Sequence, residues 1–231
     1  MTNQIAERIA LIRQQLPATV RLIAVTKQVS VEAMRVAYQA GIRDFGESRI
    51  QEAASKQQQL QDLPDITWHL IGSLQSNKAK RAIELFQWIH SLDSLKLAQR
   101  LDRLAQELCC RPQVCLQVKI LSDPNKSGWT IPDLLASLPE LNRCHNLQIE
   151  GLMAIPPLDL NDAEILNFFE QTRDLADKIR QQHWSNLQMH QLSMGMSDDY
   201  QLAVQAGATM VRLGRIIFGD RVYQGAVTSD Q

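Results

Sequence analysis

One lysine has the position and surroundings needed to attack a carbonyl group. Lys27 directly follows Leu22–Thr26, a run of five apolar or small residues typical of a buried strand. An amine at the end of such a strand should lie partly buried, where desolvation disfavours the charged form and favours imine formation. The alternative is a lysine that extends to the protein's rim without a chemical role, or one that pairs with Glu47. Position alone does not choose between these interpretations.

A second group of residues has the composition of an anion site. In the segment Ser193–Asp199, Gly195 lets the backbone approach a ligand, and the hydroxyls of Ser193 and Ser197 flank it. A helix predicted to start near Asp198 would direct its first N–H groups and its positive dipole end to the same point. The segment therefore predicts a phosphate site, with an ordinary capped turn as the alternative.

Arg212 and Gly214 follow the phosphate-site candidate in the chain. Arg212 interrupts the apolar run Met210–Leu213, so if it is buried it needs a partner, which an anion or a ring nitrogen would supply. Gly214 would supply a second glycine for a phosphate site. An arginine that faces solvent is the alternative.

The histidines and cysteines do not have the spacing of a metal site. His69, His90 and His190 lie on three separate predicted strands, where hydrogen bonding in the core or at the rim is the better interpretation. The four cysteines lack a second ligand pair at zinc-site spacing, and we expect reduced, structural thiols at Cys109, Cys110, Cys115 and Cys144. No metal and no serine-histidine-acid triad is predicted.

The elements that would position these residues alternate between strand and helix. Eight short apolar runs predict strands at Arg21–Thr26, Ile42–Phe45, Thr67–Ile71, Trp88–Leu92, Gln113–Leu121, Leu147–Ala154, Leu187–Leu192 and Thr209–Leu213. After an opening helix at Asn3–Gln15, amphipathic segments predict helices at Val31–Ala40, Ile50–Leu60, Asn77–Phe86, Leu95–Leu108, Ile131–Leu138, Asp162–Gln182 and Asp198–Ala206. Gly41 and Gly207 each end a helix just before a strand.

This pattern predicts an α/β fold, a single closed (β/α)8 TIM barrel over residues 1–231 with an N-terminal helix and a short C-terminal tail. Eight strands, a length near that of other barrels and the lack of a linker favour it over an open doubly wound sheet. In such a barrel the loops after the strands meet at one end, so the candidate residues would converge there.

Composition excludes several classes of function. Lys and Arg number 24 against 25 Asp and Glu, giving a net charge of −1, which disfavours nucleic acid or an anionic membrane surface as partner. The N-terminus lacks a signal-peptide pattern, and no apolar stretch is long enough to span a membrane. We therefore expect a cytoplasmic protein.

An amine able to form an imine, a phosphate site and a neighbouring arginine suit a phosphorylated aldehyde, and at these residues the chain resembles the pyridoxal 5′-phosphate (PLP) homeostasis proteins. The resemblance spans nearly the whole chain. It is carried by seven motifs, at Ala24–Lys27, Phe45–Glu47, Trp68–Lys78, Lys126–Gly128, Gly151–Pro156, Ser193–Asp199 and Met210–Gly214.

The resemblance implies the alanine racemase N-terminal domain fold, which is PLP fold type III, here without the added β domain. It also implies a covalent PLP aldimine on Lys27 and Arg212 near the pyridine nitrogen. The implied phosphate ligands lie on the two glycine-containing segments, at Ser193, Gly195, Ser197 and Gly214.

Three positions depart from the family pattern or add to its amines. Ser48 stands where relatives often have Asn after Phe-Gly-Glu, and Lys119 stands where they often have Asn on strand five. Lys119 is either a competing amine for PLP or a partner of Glu47 or Asp123. Lys126, within the Lys-Ser-Gly motif, is a third amine in a predicted loop.

The resemblance implies a monomeric protein that sequesters or delivers PLP and maintains cellular PLP and amino-acid pools, with no catalytic residues and no robust turnover. PLP-requiring apoenzymes and amino acids are the expected partners. An arginine at the ring nitrogen offers no proton, which weakens PLP as an electron sink. In addition, the three tyrosines (Tyr38, Tyr200 and Tyr223) fall in helices or the tail, away from a second-base position. The alternatives are a slow PLP-dependent racemase and an aldolase-like barrel that acts on sugar phosphates through Lys27.

Overall fold

Eight parallel strands close into a barrel in the computed structural model, which describes residues 2–121 and 127–219. Nine strands are described, with bounds β1 Arg21–Val25, β2 Asp44–Glu47, β3 Thr67–Leu70, β4 Trp88–Leu92, β5 Gln113–Lys119, β6 Trp129–Thr130, β7 Gln148–Met153, β8 Leu187–Ser193 and β9 Met210–Leu213. The order around the ring is β4-β3-β2-β1-β9-β8-β7-β5, and pairing between β4 and β5 closes it. The predicted eight-stranded barrel is confirmed.

Helices connect the strands on the outside of the ring. They are α1 Thr2–Gln15, α2 Val31–Gln39, α3 Ile50–Gln59, α4 Ala79–Leu85, α5 Leu95–Glu107, α6 Ile131–Asn142, α7 Asp162–Arg180, α8 Tyr200–Gln205 and α9 Arg215–Phe218, with a 3-10 turn at Ser76–Lys78 before α4. The structure adds three features that were not predicted: the two-residue β6, which pairs with β5 outside the ring; the later start of α8; and the short α9. Among the described residues no helix is long and apolar enough to span a bilayer.

The helix ends show why the chain turns where it does. Gly41 and Gly207 have φ of +91° and +101°, so both predicted glycine stops lie in the left-handed region that favours glycine. The helix predicted to begin near Asp162 is capped one residue earlier, by Asn161. Its side chain accepts from the N–H groups of Ala163 and Glu164, and Glu164 accepts from the Asn161 N–H in a capping box.

The core has two layers, because side chains alternate across each strand. One layer packs the outer face of the ring against the helices. The other fills the lumen of the barrel, where Ile23, Trp88, Cys115, Met153 and Met210 pack together. The lumen is therefore a packed interior that supports the mouth, the end of the barrel at which the carboxyl ends of the strands lie.

Candidate functional site

The candidate residues lie at the ends of three neighbouring strands. Lys27 follows β1, Gly214 follows β9, and the Ser193–Asp199 loop begins at the last residue of β8; in the ring β9 lies between the other two. The backbones approach closely, since a Cβ at Gly214 would lie 3.3 Å from the carbonyl oxygen of Val25. The barrel therefore brings together an amine, a glycine-containing loop and an arginine that are far apart in the sequence.

Lys27 is half-buried at the mouth, as predicted. Hydrogen bonds fix the backbone of the residue before it and of the residue after it. Thr26 is fully buried, and its N–H donates to the Gly46 carbonyl at 2.9 Å. On the other side, Gln28 has φ of +60°, a left-handed conformation uncommon for a residue other than glycine. The Gln28 N–H donates to a carboxylate oxygen of Glu52 at 2.6 Å.

A buried lysine on α3 connects the residue before Lys27 to the carboxylate that binds the residue after it. Lys56 is 6% exposed, and its Nζ donates to the Thr26 carbonyl at 2.6 Å, to Glu47 at 2.8 Å and to Glu52 at 2.6 Å. The Thr26 hydroxyl also donates to Glu47, at 2.6 Å. Burial raises the pKa of Glu47, and the hydrogen bonds from Lys56 and Thr26 act in the opposite direction. This cluster fixes the backbone conformation from which Lys27 projects.

The sequence offered Glu47 as a partner for Lys27 or Lys119, and this interpretation is wrong. Glu47 Oε1 accepts from Lys56 and Thr26, and Oε2 has no hydrogen-bond partner in the part of the chain that the structure describes. Glu47 points from the outer face of β2 toward α3, away from the lumen, which explains why neither amine at the mouth reaches it. Lys119 is half-buried at the end of β5.

The Ser193–Asp199 loop turns sharply at Gly195. Gly195 has φ of +93°, and a Cβ there would lie 2.7 Å from the Ala203 side chain, so only glycine fits without a shift. The Asp199 carboxylate accepts from the Met196 N–H at 2.5 Å and closes the turn. Burial raises the pKa of Asp199, against the effect of this hydrogen bond.

Three N–H groups of the two glycine-containing segments have no acceptor among the described residues. Within the described chain, the backbone N–H groups of Gly195, Ser197 and Gly214 donate to no carbonyl or side chain. The Ser197 hydroxyl lies between the segments and accepts from the Ile216 N–H at 3.4 Å. Unpaired N–H donors around a hydroxyl form a site suited to an anion.

Arg212 is buried, at 4% exposure, and its partners are protein groups. Its Nη1 donates to the carbonyl and to the hydroxyl of Ser193 at 2.5 and 2.8 Å, and its Nη2 donates to the Ala154 carbonyl at 3.2 Å. Nε–H and the second Nη2–H have no acceptor among the described residues. Burial lowers the pKa of Arg212 to about 10, which leaves the guanidinium charged at neutral pH.

Ser193 lies deeper than the other predicted site residues. It is fully buried, and its hydroxyl contacts Arg212 and His90. His90 in turn contacts His69, so the interpretation of both histidines as hydrogen-bonded core residues is confirmed. A direct contact of Ser193 with phosphate stays a prediction. The third candidate amine, Lys126, lies outside the described residues. Tyr223 lies outside them as well.

Two residues that shape the site were missed by the sequence analysis. Lys56 follows Ala53 at helical spacing on the buried face of α3, and a charged residue on an apolar face was the available signal. Asp44, which accepts a hydrogen bond from His69, had no signal, because it opens a strand in a segment where charged residues are common.

Ser48, which departs from the family pattern, is half-buried. Its carbonyl oxygen lies close to Gly72, where an added Cβ would be 2.2 Å from it.

The fold is that of the alanine racemase N-terminal domain, whose family profile matches residues 2–222. Among solved structures, alanine racemase of Clostridium difficile is 15% identical with a TM-score of 0.76. The alignment covers 96% of this chain and 58% of that one. At this identity the likeness concerns the fold alone.

Closer relatives specify the family further. The pyridoxal phosphate homeostasis protein of Synechocystis sp. is 53% identical over 207 residues, which cover 90% of this chain and 94% of the relative. The relative of the same name in Escherichia coli is 36% identical, with 96% and 98% covered. The chain belongs to the family of pyridoxal phosphate homeostasis proteins. PipY of Synechococcus elongatus with PLP bound is 54% identical at a TM-score of 0.90, covering 94% of this chain and all of PipY.

Proposed function

We propose that this protein binds PLP at the barrel mouth and maintains the cellular PLP pool by sequestering or delivering the cofactor. One observation carries the proposal: an amine, an anion site and a charged arginine lie at the ends of three neighbouring strands. The PLP-bound structure of PipY, at 54% identity, supports the choice of ligand. The same support disfavours an aldolase-like reaction on sugar phosphates.

The residues fit the parts of PLP. The unpaired N–H groups of Gly195, Ser197 and Gly214, with the Ser197 hydroxyl, suit the phosphate. The remaining N–H donors of Arg212 suit the pyridine nitrogen, which accepts hydrogen bonds. We propose that Lys27 holds PLP covalently, its amine condensing with the aldehyde to form an imine and release water.

The same geometry favours binding over turnover. PLP supplies an electron sink for amino-acid chemistry when its ring nitrogen is protonated, and the charged Arg212 has no proton to give at neutral pH. Both tyrosines in the described chain have hydroxyls engaged elsewhere: Tyr38 donates to Asp65, and Tyr200 donates to Gln15 at 2.5 Å. Neither is available as a second base, so the structure supports the racemase alternative less well.

The cellular setting of this function belongs to the same proposal. The four cysteines are free thiols, which suits a reducing compartment such as the cytoplasm. We propose a cytoplasmic monomer that gives PLP to apoenzymes and thereby affects amino-acid pools.

Mass spectrometry after borohydride reduction tests the proposal directly. We expect the purified protein incubated with PLP and then reduced to carry one phosphopyridoxyl group on Lys27. Lys27→Ala should lose this adduct while retaining weaker, noncovalent PLP binding through the phosphate site. Lys119→Ala, at the end of β5 on the opposite side of the mouth, is the matched control, and it should keep a wild-type yield.

Two results would contradict the proposal. A wild-type yield of adduct in Lys27→Ala would place the reactive amine at Lys119 or Lys126. A wild-type protein that takes up no PLP and gains no visible absorbance would exclude PLP as its ligand.

A further inference from the structure

A line of hydrogen bonds crosses the barrel lumen and ends at Arg212. Asp44 Oδ1 lies 2.9 Å from His69 Nε2, His69 Nδ1 lies 3.0 Å from His90 Nε2, and His90 Nδ1 lies 2.8 Å from the Ser193 hydroxyl. Arg212 Nη1 donates to the same hydroxyl at 2.8 Å. We refer to Asp44, His69, His90 and Ser193 as the lumen relay.

The chemistry of its end groups determines the direction of every hydrogen bond in the relay. An ionised Asp44 can only accept, so His69 must carry its proton on Nε2, which leaves its Nδ1 as an acceptor. His90 must then donate from Nε2 and accept at Nδ1, so the Ser193 hydroxyl donates to His90. The lone pairs of that hydroxyl are left to face Arg212, which can only donate.

Burial keeps both histidines in the neutral state that this arrangement requires. Desolvation lowers the pKa of His69, against the effect of Asp44, and lowers the pKa of His90 further below its usual value. The positive charge of Arg212 also disfavours a charged His90, and Arg21 acts on both rings from the opposite end of the lumen. The relay therefore holds one proton on each ring.

We propose that His69 and His90 are positioning residues that orient the Ser193 hydroxyl and, through it, the guanidinium of Arg212 toward the bound ligand. This inference rests on the proposed function, because Arg212 has a ligand to face only if PLP binds. Without an acceptor at His90, the hydroxyl proton of Ser193 is no longer directed away from Arg212. The guanidinium then keeps only its carbonyl partners on Ser193 and Ala154.

Two substitutions of one residue separate this role from simple packing. His90→Asn places an amide oxygen near the position of Nδ1 and keeps an acceptor for Ser193. His90→Gln places its amide near Nε2, and so contacts His69 but leaves Ser193 without its acceptor. Both variants leave a similar void in the lumen, so packing alone predicts similar effects.

The dissociation constant for PLP is measured from the absorbance change on titration. The visible spectrum of each complex is recorded from pH 6 to 9. We expect His90→Gln and Ser193→Ala to weaken binding about tenfold, as for a lost hydrogen bond to a charged group, and to alter the spectrum alike. His90→Asn should weaken it about threefold at most and keep the wild-type spectrum. Thermal unfolding without PLP reports the stability of each variant.

The outcomes separate the inference from the proposed function. Equal effects of His90→Asn and His90→Gln, or wild-type binding by Ser193→Ala, would refute the lumen relay as a positioning device while PLP binding stands. Ser193→Ala removes a single oxygen, so wild-type binding by this variant refutes the inference even if neither His90 variant folds. Failure of the wild-type protein to bind PLP would instead refute the proposed function, and the inference with it.

Discussion

At the scale of single residues, Gly195 is a position where both conformation and space require glycine. Gly207 provides a matched comparison, because its φ of +101° is close to the +93° of Gly195. A Cβ at Gly207, however, would meet only the Arg173 side chain at an ordinary 3.6 Å. A Cβ at Gly195 would meet Ala203 at 2.7 Å. Alanine should therefore have a similar backbone cost at the two positions, and only at Gly195 should it also have a steric cost.

We expect Gly207→Ala to lower the free energy of unfolding by about 1 kcal/mol, the usual cost of alanine in a left-handed conformation. Gly195→Ala should cost about 1–3 kcal/mol more because the loop must shift to avoid Ala203. The shift should also weaken PLP binding, which Gly207→Ala should leave as in the wild type. Urea unfolding and PLP titration measure the two effects, and equal losses of stability in the two variants would contradict this account.

At the scale of elements, Lys56 links α3 to the ends of β1 and β2. Its ammonium group is the counter-charge of Glu47, which is fully buried. Lys56→Met should therefore cost about 3–5 kcal/mol of unfolding free energy, because a buried carboxylate would lose its partner. Glu47→Gln in the same chain should recover part of this loss, since the neutral amide needs no counter-charge.

Chemical denaturation of the two single variants and the double variant measures this coupling. A double variant whose loss equals the sum of the single losses would show that the two side chains do not interact in the folded state. Arg35→Met provides a control at an exposed pair, because Arg35 and Asp62 both lie at the surface. Solvent screens pairs of that kind, so Arg35→Met should cost far less stability than Lys56→Met.

The elements also show what the sequence could predict. Strands and helices were predictable because periodicity and the glycine stops at Gly41 and Gly207 are local signals. The two-residue β6 was not, since a strand of that length has no periodicity and forms only by pairing with β5.

The site residues likewise differ in whether a local sequence signal could predict them. Lys27, Gly195, Ser197, Arg212 and Gly214 were predictable as candidates, because each lies at the end of a recognisable strand or in the loop after it. The contacts of Lys56, Asp44 and His90 were not, because they join side chains on different elements and depend on which face of each strand points inward.

At the scale of the whole molecule, the buried histidines link stability to pH. His69 and His90 have a lowered pKa in the folded protein, whereas in the unfolded chain each titrates near its usual value of 6.5. The unfolded state therefore binds more protons below pH 6.5. The stability that depends on the two neutral histidines is therefore fully present above pH 6.5 and is lost as the pH falls below it.

We expect each histidine to contribute up to about 1.4 kcal/mol of lost stability per pH unit below 6.5. The raised pKa of Glu47, Asp93 and Asp199 acts with the opposite sign at pH values above about 4. The difference between wild type and His90→Asn, followed by denaturant unfolding from pH 7 to 5, isolates one histidine. A difference that does not change with pH would show that His90 is not held neutral.

Closure of the ring places β1 beside β9, two strands separated by most of the described chain, so β1 has both of its neighbours only when β9 is in place. The lysine amine lies on one side of this junction, and the arginine and the glycine turns lie on the other. A partly folded chain in which the junction is open should therefore be unable to retain a vitamin B6 aldehyde, which makes cofactor retention a reporter of completed folding.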